Sequence, residues 1–180
     1  APLNPFPLDA RLIEALPRKL ALRYAVLPVA EEGKTLVLAS EQQISQVSLG
    51  AISRQLKRPV RGRLAPQGRV TLGLRHWYGG RHQTEETRAI IDVLRQRQGD
   101  EALMERLSGH VVMFGSLLQV RGMVPPSLFN QALIDFDPEQ DSLGEHLIKR
   151  GMITQQVLEE ALQEQASEQH EAYRIVREAV

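Results

Sequence analysis

Residues 114–136 are copied, 29 positions later, by residues 143–165. Phe114-Gly-Ser-Leu-Leu-Gln-Val-Arg-Gly-Met123 aligns without a gap on Leu143-Gly-Glu-His-Leu-Ile-Lys-Arg-Gly-Met152, and Phe129, Ala132 and Leu133 fall on Leu158, Ala161 and Leu162. A repeat of this length and regularity is one supersecondary unit used twice, and the helical spacing of its apolar positions makes that unit a helix-turn-helix. Gly122 and Gly151 sit where each first helix must stop in the left-handed region, which glycine enters without steric cost. Thr154 caps the helix that follows, and Pro125-Pro126 supply a preset entry in the first copy. Gly115 and Gly144, at the start of each first helix, leave room for a backbone or a flat ligand to approach closely.

The first half reads differently. Asp9 caps a helix carrying Leu12, Ile13, Leu16 and Leu20, with Pro17 a joint between two short helices. Ala25–Ala30 and Thr35–Ala39 are short apolar runs flanking Glu31-Glu-Gly-Lys34, a hairpin pattern in which Pro28 marks an edge strand. Ser40 to Leu56 returns to helix period, Pro59 to Leu64 forms a third strand, and Pro66 opens a helix to Trp77-Tyr78. The glycine-bearing stretch 79–84 is a joint. Helices from Thr84 and Asp100 then carry Ile90, Ile91 and Leu94, and Leu103, Met104 and Leu107. The expected fold is α+β: a small three-stranded sheet with flanking helices over 1–80, then an all-helical bundle over 81–180 containing the two repeats.

Net charge is zero, yet the two halves are polarised. Residues 1–80 hold 12 basic and 5 acidic side chains, residues 81–180 hold 10 and 17. No acidic residue lies between Gln42 and Thr84, a stretch that includes Arg54, Lys57, Arg58, Arg61, Arg63, Arg69, Arg75 and Arg81. Such a surface suits ligand phosphates, anionic lipid or the acidic half of the same chain. Aromatics interleaved with these arginines are limited to Trp77 and Tyr78, so nucleic acid is not an expected partner. Cysteine is absent, which removes disulfides and thiol catalysis. The five histidines have no metal-ligand spacing and no phosphate loop occurs, so the chain reads as a non-enzyme without a metal. The longest apolar run, about ten residues near Val111–Val120, falls well short of the roughly 20 needed to span a bilayer. The start carries no signal pattern, and the chain reads as a soluble piece of a longer protein.

The repeat resembles the helical part of MshEN domains, the cyclic-di-GMP-binding family related to the N-terminal region of type II secretion ATPases. Its motif runs Arg-Leu-Gly, Leu three on, Gly four further, then Leu, Leu and a closing Gln. The second copy matches at Leu143, Gly144, Leu147, Gly151, Leu158, Leu162 and Gln165. The first keeps Gly115, Leu118, Gly122 and Leu133, with Phe114 and Phe129 in place of leucines. The motif's leading arginine, which in the family helps hold the guanine and phosphate of the ligand, is Met113 in one copy and Ser142 in the other, and the first closing Gln is Phe136. Arg121 and Arg150, beside the turn glycines, are the nearest replacements. Residues 8–79 resemble the family's α/β part, through Leu16-Pro-x-x-x-Ala-x-x-Tyr-x-Val-Leu-Pro-Val29, the Leu-Val-Leu-Ala strand and Trp77-Tyr78-Gly79.

The α/β part precedes the helical part here, an order that resembles the cytoplasmic tail of bacterial inner-membrane glycosyltransferases of the phage-adsorption protein B type. The resemblance implies a regulatory domain on the cytoplasmic side of that membrane, tied to it only through the parent chain. It would have no cofactor, would take cyclic-di-GMP as regulatory ligand, and would control the attached catalytic domain. A second reading is a ligand-free docking module of a secretion or envelope polysaccharide system. If the dinucleotide binds, it lies across the first helices of both repeats, with cations from Arg121, Arg150 or the arginine-rich strand and helix of the first unit.

Overall fold

The computed structural model describes residues 2–79 and 84–179. Asp9 accepts the Arg11 N–H and starts α1 (Ala10–Ala15). Pro17 then breaks the chain before α2 (Arg18–Tyr24), as its fixed φ and missing N–H require. The hairpin follows as β1 (Leu27–Glu32) and β2 (Thr35–Ser40), paired antiparallel from Leu27 opposite Ala39 to Glu32 opposite Thr35. After α3 (Gln46–Leu56), β3 (Val60–Leu64) adds parallel to β2, giving the order β1-β2-β3 with Pro28 on an edge strand. Central β2 is buried along most of its length. The exposed outer strand β3 presents Arg61 and Arg63, charges that discourage edge-to-edge pairing.

Two helix starts differ from the expectation. Helix α3 begins at Gln46 and not at Ser40, because Ser45 caps it and the preceding residues are held elsewhere. Ser40 Oγ donates to the Gln42 carbonyl, and a Glu41 carboxylate oxygen accepts both the N–H and the hydroxyl of Thr71. Likewise α4 (Arg69–Tyr78) starts after Gly68, whose φ of +84° cannot continue a right-handed helix back to Pro66.

Among its described residues the second half contains helices and their connections and no strand. Thr84 caps α5 (Glu85–Gln96) and Asp100 caps α6 (Glu101–Ser108). The repeats give α7 (Phe114–Val120) with α8 (Pro126–Ile134), then α9 (Leu143–Lys149) with α10 (Gln155–Ala179). Gly122 and Gly151 adopt φ of +67° and +71° at equivalent turns, and Thr154 Oγ1 accepts the Val157 N–H at the head of α10. Within the joint, residues 80–83, including Arg81 and His82, lie outside the described residues.

Packing crosses between the halves. One core cluster joins Leu16, Leu20, Leu27, Leu38 and Leu74 of the α/β half to Leu118, Phe129, Phe136, Leu147 and Leu158 of the repeats. A second gathers Phe6 and Leu72 with Ile90, Leu94, Leu107 and Ile175. Burying such side chains contributes about 1.5–3 kcal/mol each, so the two halves are held to each other through common apolar contacts.

Candidate functional site

A cavity of about 440 Å³ opens where α2, α4 and the 40–45 loop face the repeats. Its first wall carries Arg18, Leu22 and Arg23 from α2, Thr71, Leu74, Arg75 and Tyr78 from α4, and Glu41 to Ser45 from the loop. The opposite wall is built from the head of α7 (Phe114, Gly115, Ser116), from Phe129, Asn130 and Leu133 of α8, and from the connection running to Leu143. Gln165 of α10 closes it. The size is ordinary for a small-molecule site, as is an apolar lining broken by a few polar groups.

The walls are tied together by α2. Arg23 Nε donates to the Phe136 carbonyl at 2.6 Å, and Lys19 pairs with Asp137 at 3.3 Å. Asp137 is held below the usual carboxylate range, first by the Glu139 N–H it accepts and then by Lys19. Arg18 Nε donates to the Tyr78 carbonyl at 2.8 Å, while the Tyr78 hydroxyl donates toward the Ile13 and Leu16 carbonyls at 2.9 and 3.1 Å. Burial pushes the Tyr78 hydroxyl up, so it stays a protonated anchor. Arg75 Nη1 reaches Gln169 Oε1 at 3.5 Å, and burial pushes its guanidinium down against the opposing field of Glu41. On the repeat side, Gln165 Nε2 donates to the Val112 carbonyl at 2.9 Å.

The structure divides the residues singled out in the sequence. Phe114, Gly115, Leu133, Leu143 and Gln165 line the cavity, and so do Met113 and Ser142, where the family motif has arginine. Leu118 and Leu147 are fully buried, and Leu158 is buried beside them, in the core beneath the cavity. Leu162 points outward and is 46% exposed. Gly122 and Gly151 are turn residues outside the cavity lining. The space over Gly115 and Gly144 is filled from within the repeats: a Cβ on Gly115 would stand 2.9 Å from Phe129 Cζ, and one on Gly144 would stand 2.4 Å from Leu158 Cδ1. Helix-to-helix packing uses that room.

Most of the suggested phosphate partners are placed away from the cavity. Arg121 pairs with Glu164 and Arg150 with Asp135, and neither arginine lines the cavity. Arg58 and Arg61 pair with Glu31 and Glu32 of β1, and Arg69 is buried against Glu101 of α6. The cations that do line the cavity, among the described residues, are Arg18, Arg23 and Arg75. Only Arg75 belongs to the arginine-rich stretch visible in the sequence. Arg18 and Arg23 carried no local signal, since their role depends on α2 docking beside residues more than a hundred positions away.

An α/β unit and a doubled helix pair closing on an apolar cavity rimmed by arginines define a binding module. Residues 1–84, just under half of the chain, match the MshEN domain family. The matched span ends before α5, so it covers the α/β unit and not the repeats. The chain is 31% identical over 166 residues to Bacteriophage adsorption protein B of Escherichia coli (strain K12), and equally to Bacteriophage N4 adsorption protein B of Escherichia coli O157:H7. The alignment takes in 89% of this chain and 22% of each relative, so the chain spans under a quarter of their length. No solved structure matches it. Among the described residues no helix is long and apolar enough to cross a membrane.

Proposed function

We propose that this chain is a regulatory module that binds cyclic-di-GMP in the cavity between its α/β unit and its repeats. The observation that carries the reading is the cavity itself, with one wall from each unit, an apolar lining and arginines at its edge. Guanine faces and ribose edges suit Phe114, Leu133, Phe136 and Leu143, and the phosphates suit guanidinium groups. A ligand touching both walls favours one arrangement of the units over others, which is how binding becomes a signal. The receiver of that signal is the catalytic part of a longer protein, an inner-membrane glycosyltransferase, with the module on the cytoplasmic side. Support for this last step is the similarity to the adsorption proteins and the α/β-then-repeat order.

Isothermal titration of the purified chain with cyclic-di-GMP tests the reading, with the linear dinucleotide pGpG and GTP as controls. Saturable heat for the cyclic dinucleotide and a thermal shift are expected. Absence of both at high micromolar concentration hands the role to the docking module, with the repeats as its contact surface.

A further inference from the structure

Among the described residues three arginines line the cavity, and all three come from the α/β wall. Each is fixed by a neutral acceptor: Arg18 and Arg23 by the carbonyls of Tyr78 and Phe136, Arg75 by the side-chain amide of Gln169. None of the three forms an ion pair with a carboxylate among the described residues. Of the two carboxylates that line the cavity among the described residues, Glu41 accepts from Thr71 while its field also reaches Arg75, and Asp141 pairs with Lys149 at 2.9 Å. In Arg18 and Arg23 the anchored atom is Nε, which leaves both terminal nitrogens as donors. The repeat wall brings no cation to the lining.

Arg75 is the guanidinium that burial disfavours, and a bound anion would offset that cost through paired, charge-assisted hydrogen bonds. Arg18, exposed, and Arg23, half-buried, offer their terminal donors to the same anion. We infer that Arg18, Arg23 and Arg75 form the anion-binding arm of the cavity and grip the phosphate groups of a nucleotide whose bases rest on the apolar repeat wall. The inference rests on the proposed function for the identity of the nucleotide, but not for the anion. It assigns the two walls separate tasks. Affinity for charge lies on α2 and α4, shape recognition lies on α7 and α8, and occupancy requires both.

The test uses the whole chain with two probes, cyclic-di-GMP and inorganic pyrophosphate, followed by calorimetry and by NMR of arginine side-chain N–H groups. Arg18→Gln, Arg23→Gln and Arg75→Gln are each expected to weaken cyclic-di-GMP binding about ten-fold or more, the usual loss for a hydrogen bond to a charged group. They should also flatten its salt dependence. Arg75→Lys keeps the charge without the fork and should recover only part of the loss. Arg18 is exposed, so Arg18→Gln is a variant that folds even if Arg75→Gln does not; melting temperature checks each. Cyclic-di-GMP binding that is unchanged in Arg18→Gln and Arg23→Gln overturns the inference and leaves the proposed function standing. Pyrophosphate-induced shifts at these arginines, with no binding of cyclic-di-GMP, keep the anion arm and overturn the dinucleotide. No response to either probe overturns both.

Discussion

Arg150 of the second repeat is ion-paired with Asp135 of the first, and the pairing is returned: Arg121 of the first repeat is paired with Glu164 of the second. Arg121 and Arg150 are 29 positions apart, and so are Asp135 and Glu164. The two copies therefore exchange the same contact, as the halves of a two-fold pair do. These arginines stand beside the motif's turn glycines for structural reasons. Their side chains are about a third or more exposed, so each pair contributes about 0–1 kcal/mol after solvent screening. Arg121→Ala and Arg150→Ala should lower stability to denaturant by no more than that and leave cyclic-di-GMP affinity unchanged. A large loss of affinity in either variant would return the phosphates to the repeats.

Gly144 is a site of close packing with an ordinary helical backbone. Because a Cβ there would stand 2.4 Å from Leu158 Cδ1, Gly144→Ala should cost about 1–3 kcal/mol, the range for an overfilled core. Combining it with Leu158→Ala should cost less than the sum of the two single changes, since the smaller residue vacates the contested space. Urea unfolding of the four proteins closes the cycle, and strict additivity would contradict the packing account.

At Gly151 the cause is reversed. Nothing lies within 4 Å of a Cβ built there, but φ is +71°. The penalty of Gly151→Val is then one of backbone alone, about 1–2 kcal/mol. Gly151→Asn should cost distinctly less, because asparagine tolerates the left-handed region. Equal losses for valine and asparagine, measured by chemical denaturation, would point to a clash that the structure does not contain.

The element order, the caps at Asp9, Thr84, Asp100 and Thr154, and the left-handed turns at Gly122 and Gly151 were all legible, because each depends on residues within a turn or two of chain. The edge position of β1 was legible for the same reason, from Pro28. What the sequence could not reveal is how a repeated pattern divides between core and cavity. Leu118 and Leu133 are both apolar at helical spacing, yet the first is sealed beneath α7 and the second opens onto the cavity. Even equivalent positions part company, since Leu133 is buried while Leu162 is exposed, the two helices having different neighbours. The late start of α3 escaped notice because the competing partner of its preceding loop, Thr71, lies 30 residues away.

That division carries its own prediction. Leu147 and Leu118 are fully buried and do not line the cavity, so Leu147→Ala and Leu118→Ala should each cost about 2–5 kcal/mol of stability. Phe114 is half-buried at the cavity mouth, so Phe114→Ala should instead weaken cyclic-di-GMP binding with a smaller effect on melting temperature. Calorimetry and thermal denaturation on the same three variants separate the two effects. A ligand-specific loss in Leu147→Ala at unchanged stability would place the ligand deeper than the cavity floor.

His76 gives the fold a dependence on pH whose sign follows from its surroundings. It packs edge-on against Phe6 and Trp77, with ring centroids 5.6 and 4.7 Å away. Burial pushes its imidazole down, Arg95 pushes it further, and Asp92 opposes them. The unfolded chain therefore takes up a proton at about pH 6.5, where the folded chain still refuses it. Between that value and the lowered folded one, the unfolded state binds more protons, so stability is lost as pH falls. His76→Phe keeps a ring in the same place and removes the titration. Its melting temperature should fall less than that of the parent chain between pH 7.5 and 5.5, both measured in one buffer series at constant ionic strength. Parallel curves for the two proteins would mean that His76 is as freely protonated folded as unfolded, and that acid sensitivity originates in the carboxylates.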